Sequence, residues 1–206
     1  VHTIVVRVWL PDRPGALGQV ASRIGAVRGD VLGIEVLESG AGNVIDELVV
    51  RLPDEQVVDL MVSEVDAVDG VSVEHVRSLD GGHIDPDMAA LTLVAEVAEL
   101  PPEQRIGALV RGLHVLTGAT WSAALDGVDA VATSGPVPDL AFIRALRDGS
   151  GHLGDAAPMS SELFWEEVAG VALVAGRDDR PIHTRERSRV ALVARIAGSL
   201  LAAPGS

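Results

Sequence analysis

The most concentrated group of potential ligands in the chain is Asp80, His83, Asp85 and Asp87. Carboxylate oxygens and an imidazole are atoms that hold divalent cations. The spacing does not follow a calcium loop, and the neighbouring Gly81-Gly82 and Pro86 make a solvated linker the favoured reading. Ser150, His152 and Asp155 have the residue types of a nucleophilic set, but they sit in a Gly-rich run without a Gly-x-Ser-x-Gly elbow. Arg177, Arg180, Arg185, Arg187 and Arg189, interleaved with Asp178, Asp179 and Glu186, could meet an anion or an acidic partner. A solvated helix end is the simpler reading. Gly25, Gly29 and Gly33 follow a helical pattern and not a first strand, so they do not form a dinucleotide fingerprint. The chain has no Cys, which removes disulfides, thiolate catalysis and Cys-ligated zinc or iron–sulfur centres. No catalytic residue, metal site or cofactor is therefore expected, and the chain reads as a non-enzyme.

Charge narrows the partners. There are 30 acidic residues against 16 basic ones, for a net charge of −14. Every basic residue is Arg, and each half of the chain is acidic. Neither half offers a basic face to a phosphate backbone, and aromatics at 2% provide no stacking platform. Nucleic acid is not an expected partner. Nor is a membrane, because no apolar run reaches spanning length. The sequence opens directly on an alternating strand without a basic start or cleavage site. A cytoplasmic location is expected.

The elements that would position these residues follow from periodicity. Residues 4–10 alternate, with Ile4, Val6, Val8 and Leu10 on one face. Pro11 to Gly15 break the strand, and Leu17, Val20, Ala21, Ile24 and Val27 continue at helical spacing. Strands are expected over 31–37 and 44–52, joined by a turn at 38–43, then a helix over 55–65 and a strand over 71–76. This β-α-β-β-α-β order is the ferredoxin-like unit, with both helices on one face of an antiparallel sheet. Val5, Trp9 and Val49 should lie on the other face, which suggests that a second copy or another domain covers it. A linker is expected over 80–87. Beyond it come helices over 88–99 and 103–117, a hairpin over 121–133, a short helix over 140–147, a loop over 148–160, strands over 162–168 and 171–176, and a helix over 185–201. Thr184 could cap this last helix, although Arg187 stands where a capping box needs Glu or Gln. The helices carrying Leu109, Leu113 and Leu116 and carrying Val190, Val193 and Ile196 should pack together on one sheet face. Trp121 and Trp165 are expected in the core.

The first strand, the turn Asp12-Arg13-Pro14-Gly15-Ala16-Leu17 and the junction Gly29-Asp30-Val31 resemble the ACT family. The resemblance covers residues 1–79. It implies a regulatory α+β domain that binds a small ligand, commonly an amino acid, near the first strand–helix turn and often between two paired copies. The implied ligand-binding residues are Asp12, Arg13, Gly15, Ala16, Leu17, Asp30 and Val31, and a homodimer is implied. Many relatives carry Asn where Asp30 stands. Two carboxylates favour a ligand ammonium and leave its carboxylate to the amides opening the first helix. Asp12 could equally support the turn or cap that helix. Residues 88–206 resemble, more faintly, a GAF-like sensory α/β sandwich. The likeness rests on the helix and strand order, on Val171-Ala172-Leu173-Val174-Ala175-Gly176-Arg177 and on Pro181-Ile182-His183-Thr184 before a long helix. Together these imply a two-domain ligand sensor acting on an unidentified regulated partner. Two other classes stay open: an enzyme with an acidic or metal site between the domains, and a pure protein-interaction module.

Overall fold

The computed structural model describes residues 1–79, 85–127, 129–151 and 163–202, the side chains of 146–151 excepted. The chain divides into two compact units, Val1–His83 and Ile84–Ser206. The expected linker residues 80–84, the loop at 152–160 and Val128 lie outside the described residues.

The first unit runs β1 (His2–Pro11), α1 (Ala16–Ala26), β2 (Asp30–Gly40), β3 (Asn43–Leu52), one 3-10 turn (Glu55–Val57), α2 (Val58–Asp66) and β4 (Ser72–Ser78). The sheet order is β2-β3-β1-β4, and every pairing is antiparallel. Alternation fixes the core: Ile4, Val6, Val8 and Leu10 of β1 face the helices with Leu48, Val50 and Leu52 of β3. Val20 and Ile24 of α1 and Met61 and Val65 of α2 close over them. Burying each such side chain stabilises by about 1.5–3 kcal/mol. Where α1 ends, the left-handed residue is Arg28 (φ 62°), and Gly29 follows it. A Cβ at Gly29 would stand 2.7 Å from Ile24 Cγ2 and 2.9 Å from the Ile24 carbonyl, so only glycine fits there. The β2–β3 turn is tighter than expected. Gly40 pairs with Asn43, which leaves Ala41 and Gly42 as the turn, both at positive φ.

The second unit runs α3 (Pro86–Glu99), α4 (Pro102–Thr117), β5 (Trp121–Asp126), β6 (Asp129–Ser134), α5 (Leu140–Gly151), β7 (Leu163–Val168), β8 (Val171–Gly176) and α6 (Thr184–Ala202). Its antiparallel sheet has the order β6-β5-β8-β7. One face packs Ala124, Leu173 and Phe164 against Leu93 and Val97 of α3, Leu109 and Leu113 of α4, and Val190, Val193 and Ala197 of α6. The other face packs Trp121, Ala123, Leu125, Ala172 and Val174 against Ile143 of α5. The helices from the two ends of this segment thus share one sheet face, as their apolar stripes required. Trp121 is buried, and Trp165 packs partly buried against the same cluster. Ile196 departs from the expected stripe: it is exposed on the outer side of α6. No helix among the described residues is long and apolar enough to cross a membrane.

Candidate functional site

At the end of β1 the backbone turns through a short series of bonds. The Asp12 amide donates to the Gly42 carbonyl at 2.9 Å, the Arg13 amide to Pro11 at 2.8 Å and the Ala16 amide to Arg13 at 3.2 Å. Gly15 caps α1 with φ 88°, and no side chain caps it. Asp12 therefore supports the turn through its backbone and does not cap α1 with its carboxylate. Nothing lies within 4 Å of a Cβ built on Gly15, so glycine is required there for its left-handed φ and not by crowding. Among the described residues the amides of Leu17 and Gly18 make no backbone hydrogen bond. They face outward at the positive end of the α1 dipole. Asp12, Arg13 and Gly15 are exposed, Leu17 is half-buried and Ala16 is buried.

Asp30 opens β2 at the far end of the sheet. It pairs in register with Arg51, and their side chains form an exposed ion pair at 2.5 Å. Arg51 in turn lies opposite Thr3 of β1, whereas Asp12 follows Pro11, the partner of Asn43. Thr3 and Pro11 are eight residues apart on an extended strand, a separation of about 26 Å at ~3.3 Å per residue. Within one copy, Asp12 and Asp30 cannot touch the same small ligand. Val31 is half-buried against the helix-side core.

The sheet face away from the helices carries the expected apolar residues Val5, Trp9 and Val49. Val5 and Val49 are buried. Next along this face Arg7 lies fully buried opposite Glu47, donating to it from Nη2 at 2.7 Å and from Nε at 3.2 Å. Glu74 stands 3.7 Å from Arg7, and Arg77 stands 3.6 Å from Glu47. The Trp9 indole donates to Glu74 at 2.8 Å. Sequence gave one signal: Arg7 and Glu47 both interrupt apolar alternation, but only the register shows them to be cross-strand partners. Trp9 is exposed there, and further exposed apolar residues gather on the edge strand β2, at Leu32 (45%), Ile34 (49%) and Val36 (49%). Asp46 is a second missed residue. It alternates with Val44 and Leu48 on the helix side and is buried, burial raises its carboxyl above the ordinary value, and its Oδ1 has no hydrogen-bond partner among the described residues.

In the second unit the Arg-rich segment is structural. Arg177 is buried and uses all five of its N–H groups: on Glu186 (2.8 Å from each terminal nitrogen), and on the carbonyls of Thr117 (2.9 Å), Arg180 (3.1 Å) and Pro181. The same Glu186 accepts the His183 amide at 2.9 Å, so the acidic residue that caps α6 stands three after His183, one residue earlier than the Thr184 position suggested. Arg180 pairs with Asp179, Arg187 donates to the Leu163 carbonyl, and Arg185 and Arg189 both hold Asp87. These bonds correct the reading of a solvated helix end. They also occupy part of the acidic cluster: the Arg189 hydrogen bond holds the Asp87 carboxyl below its ordinary range, and Asp85 caps α3 by accepting the amides of Asp87 and Met88. Asp80, His83, His152 and Asp155 lie outside the described residues, as does the side chain of Ser150. No group of three or more His, Asp or Glu suited to a metal ion occurs among the described residues.

Residues 4–70 match the family model of the ACT domain. The N-terminal region of the chain is an ACT domain, a regulatory and commonly ligand-binding module. Similar solved structures include the ACT domain of the GTP pyrophosphokinase of Chlorobium tepidum, at 16% identity and TM-score 0.31 over 38% of this chain and 100% of that one. The C-terminal domain of the MgtC protein from Mycobacterium tuberculosis matches at 16% identity and TM-score 0.33, over 41% of this chain and 95% of that one. A structure described as an unknown protein from Galdieria sulphuraria matches over 96% of this chain and 92% of its own, at 16% identity and TM-score 0.34. No curated protein matches the sequence.

Proposed function

We propose that the chain is a non-catalytic sensor in which two copies pair along β2 and hold an amino acid between Asp12 of one copy and Asp30 of the other. The observation that carries this is the placement of the two carboxylates at opposite ends of the sheet, with an apolar edge strand beside them. An exposed apolar edge invites strand pairing, and β2 has neither Lys nor Pro to discourage it. Antiparallel pairing of β2 with its two-fold mate turns one copy end over end. The Asp30 end of one β2 then lies beside the Gly40 end of the other. Asp12 belongs to that second end, because its amide bonds to Gly42 in the adjoining turn. Each pairing therefore creates two equivalent composite sites. The ligand ammonium meets the carboxylates, and its carboxylate meets the Leu17 and Gly18 amides. Arg51, beside Asp30, adds a second cation that the sequence reading lacked.

The second unit is read as a GAF-like module. Its order β6-β5-β8-β7 supports this, as do α3, α4 and α6 on one sheet face with α5 on the other. A cytoplasmic regulator follows, in which ligand favours one paired arrangement over another and a partner protein reads the difference.

The test is complementation. Thermal shift with a panel of amino acids selects the ligand, which should raise Tm by mass action. In calorimetry, Asp12→Ala or Asp30→Ala alone should weaken binding by about 1.5–3 kcal/mol, the range for hydrogen bonds to charged groups. Mixing the two variant chains should restore one full-affinity site per mixed pair. If the mixture binds no better than either variant, the site is not shared between copies. A chain that pairs but gains no stability from any amino acid would be an interaction module instead.

A further inference from the structure

β7 carries a charge on the face that builds the core of the second unit. Phe164 and Val168 enter that core, and Glu166 stands between them on the same face of the strand. Two contacts fix what lies opposite. Arg187 of α6 donates to the Leu163 carbonyl at 2.7 Å, and a Cβ at Gly198 would stand 3.4 Å from Val168 Cγ1. The helix therefore runs beside the strand in the same direction, because eleven helical residues at ~1.5 Å and five extended ones at ~3.3 Å each span about 16 Å. Glu166 lies about 10 Å beyond Leu163 and so meets α6 near Ala194. Neither Ala191 nor Ala194 has a side chain long enough to fill the space beside it. A groove of about 590 Å³ opens there, lined by Glu166, Ser188, Ala191, Leu192, Ala194 and Arg195. Glu167 borders it too, but its carboxylate accepts the Trp165 indole at 3.3 Å.

We infer that this groove binds a small zwitterion, an amino acid whose ammonium meets Glu166 and whose carboxylate meets Arg195. The two residues border one groove with opposite charges. Yet neither side chain forms an ion pair or hydrogen bond, with the other or with anything else among the described residues. Burial raises the Glu166 carboxyl above its ordinary value, and no neighbouring cation offsets it. A carboxylate held part-way out of water without a counter-charge is costly, and a ligand ammonium relieves that cost by direct contact. Charge also selects the ligand. An amine alone would be repelled by Arg195 and an anion alone by Glu166, so a molecule bearing both charges suits both walls. The Ser188 hydroxyl donates to the Thr184 carbonyl at 2.9 Å, which leaves its oxygen able to accept a second ammonium hydrogen. Ala191, Leu192 and Ala194 offer apolar contact to the carbon chain between the two charges. The volume falls within the roughly 300–1,000 Å³ typical of small-ligand pockets. Every residue of the site belongs to one unit of one chain. It is therefore independent of the shared site at Asp12 and Asp30 and needs no pairing of copies.

The test uses the full chain carrying Asp12→Ala and Asp30→Ala, two exposed substitutions that silence the shared site and leave the groove intact. Isotope-labelled alanine methyl groups read the groove directly in NMR spectra. Glycine, L-alanine, L-valine, β-alanine and γ-aminobutyrate are titrated to millimolar concentration, and at least one should shift the Ala191 and Ala194 signals saturably. Propylamine and propionate carry one charge each and should bind at least tenfold more weakly than that zwitterion. Glu166→Gln removes a carboxylate that has no partner, so the circular dichroism spectrum should be unchanged while affinity for the zwitterion falls at least tenfold. Should that variant fail to fold, Arg195→Gln, at an exposed position, should produce the same loss. The absence of a shift with all of these zwitterions would overturn the inference. So would propylamine or propionate binding as tightly as the zwitterion, or an affinity unchanged in Glu166→Gln or Arg195→Gln. Because this chain lacks both Asp12 and Asp30, none of these outcomes depends on the shared site, which is tested by mixing the single variants.

Discussion

Asp46 sits where β3 demands an apolar side chain. Its neighbours along the face are Val44 and Leu48, and its partner on β1 is Val8, fully buried. Arg7 and Arg177 are also buried, yet each meets a carboxylate, and Arg177 exhausts its donors. Removing a partner from such a pair leaves an uncompensated charge and costs about 3–5 kcal/mol. Asp46 has no ion pair among the described residues, and burial alone raises its carboxyl. A carboxyl whose pKa is higher folded than unfolded holds its proton more tightly in the native state. Its contribution to stability is complete below the unfolded value, about 3.9, and is lost as pH rises through the folded value. Asp46→Asn cannot ionise and escapes that loss. The variant should match the natural chain near pH 4 and exceed it at pH 7. A gain of about 1 kcal/mol corresponds to roughly 4–8 °C in Tm for a domain of this size. Calorimetric scans of both proteins at the two pH values check this; a difference independent of pH would mean that packing and not charge sets the effect.

The elements were largely legible because their periods are clean. Ile4, Val6, Val8 and Leu10 can only be one face of a strand, and α1 runs over Ala16–Ala26 where the apolar spacing placed it. What could not be read was relational. Nothing local to Asp12 or Asp30 says that they lie at opposite ends of a sheet; that follows from the register of β1 on β3 and β3 on β2. Arg177 looked like a surface cation because its partners are carbonyls and a Glu on segments that meet only in the folded unit. Ile196 fitted the stripe of Val190 and Val193 by spacing, and only the placement of α3 beside α6 turns it outward. The β2–β3 turn shows a local misfit that sequence does display. Its two residues both need positive φ, and Ala41 at 52° is not glycine. A left-handed L-residue costs roughly 1–2 kcal/mol, whereas extra glycine freedom in the unfolded chain returns part of that. Ala41→Gly should therefore stabilise the first unit by about 0.5–1 kcal/mol in urea titration, since Asn-Gly and Gly-Gly are the preferred pairs for this turn. A destabilised variant would mean that the Ala41 methyl has a packing role.

At the scale of the whole molecule, the second unit depends on contacts between the beginning and the end of its sequence. α6 supplies Val190, Val193, Ala194 and Ala197 to the core that α3 and α4 begin. It also supplies Glu186 to Arg177, while Arg105 of α4 donates to the Leu200 carbonyl at 2.6 Å. Deleting residues 185–206 would therefore do two things. It would expose one side of the core, and it would leave the Arg177 guanidinium buried without its counter-charge. Either loss is on the order of several kcal/mol, comparable to the entire stability of a domain. The first unit has its own core from Ile4 to Val71 and takes nothing from α6 in that cluster. Methyl signals of the truncated chain should therefore separate into two classes. Those of Val6, Val8, Ile24 and Leu48 should stay dispersed, and those of Leu93, Leu109, Leu113 and Leu173 should collapse toward random-coil positions. Retained dispersion in the second group would show that α6 is peripheral to this core. That outcome would remove the helix pairing on which the GAF-like reading rests.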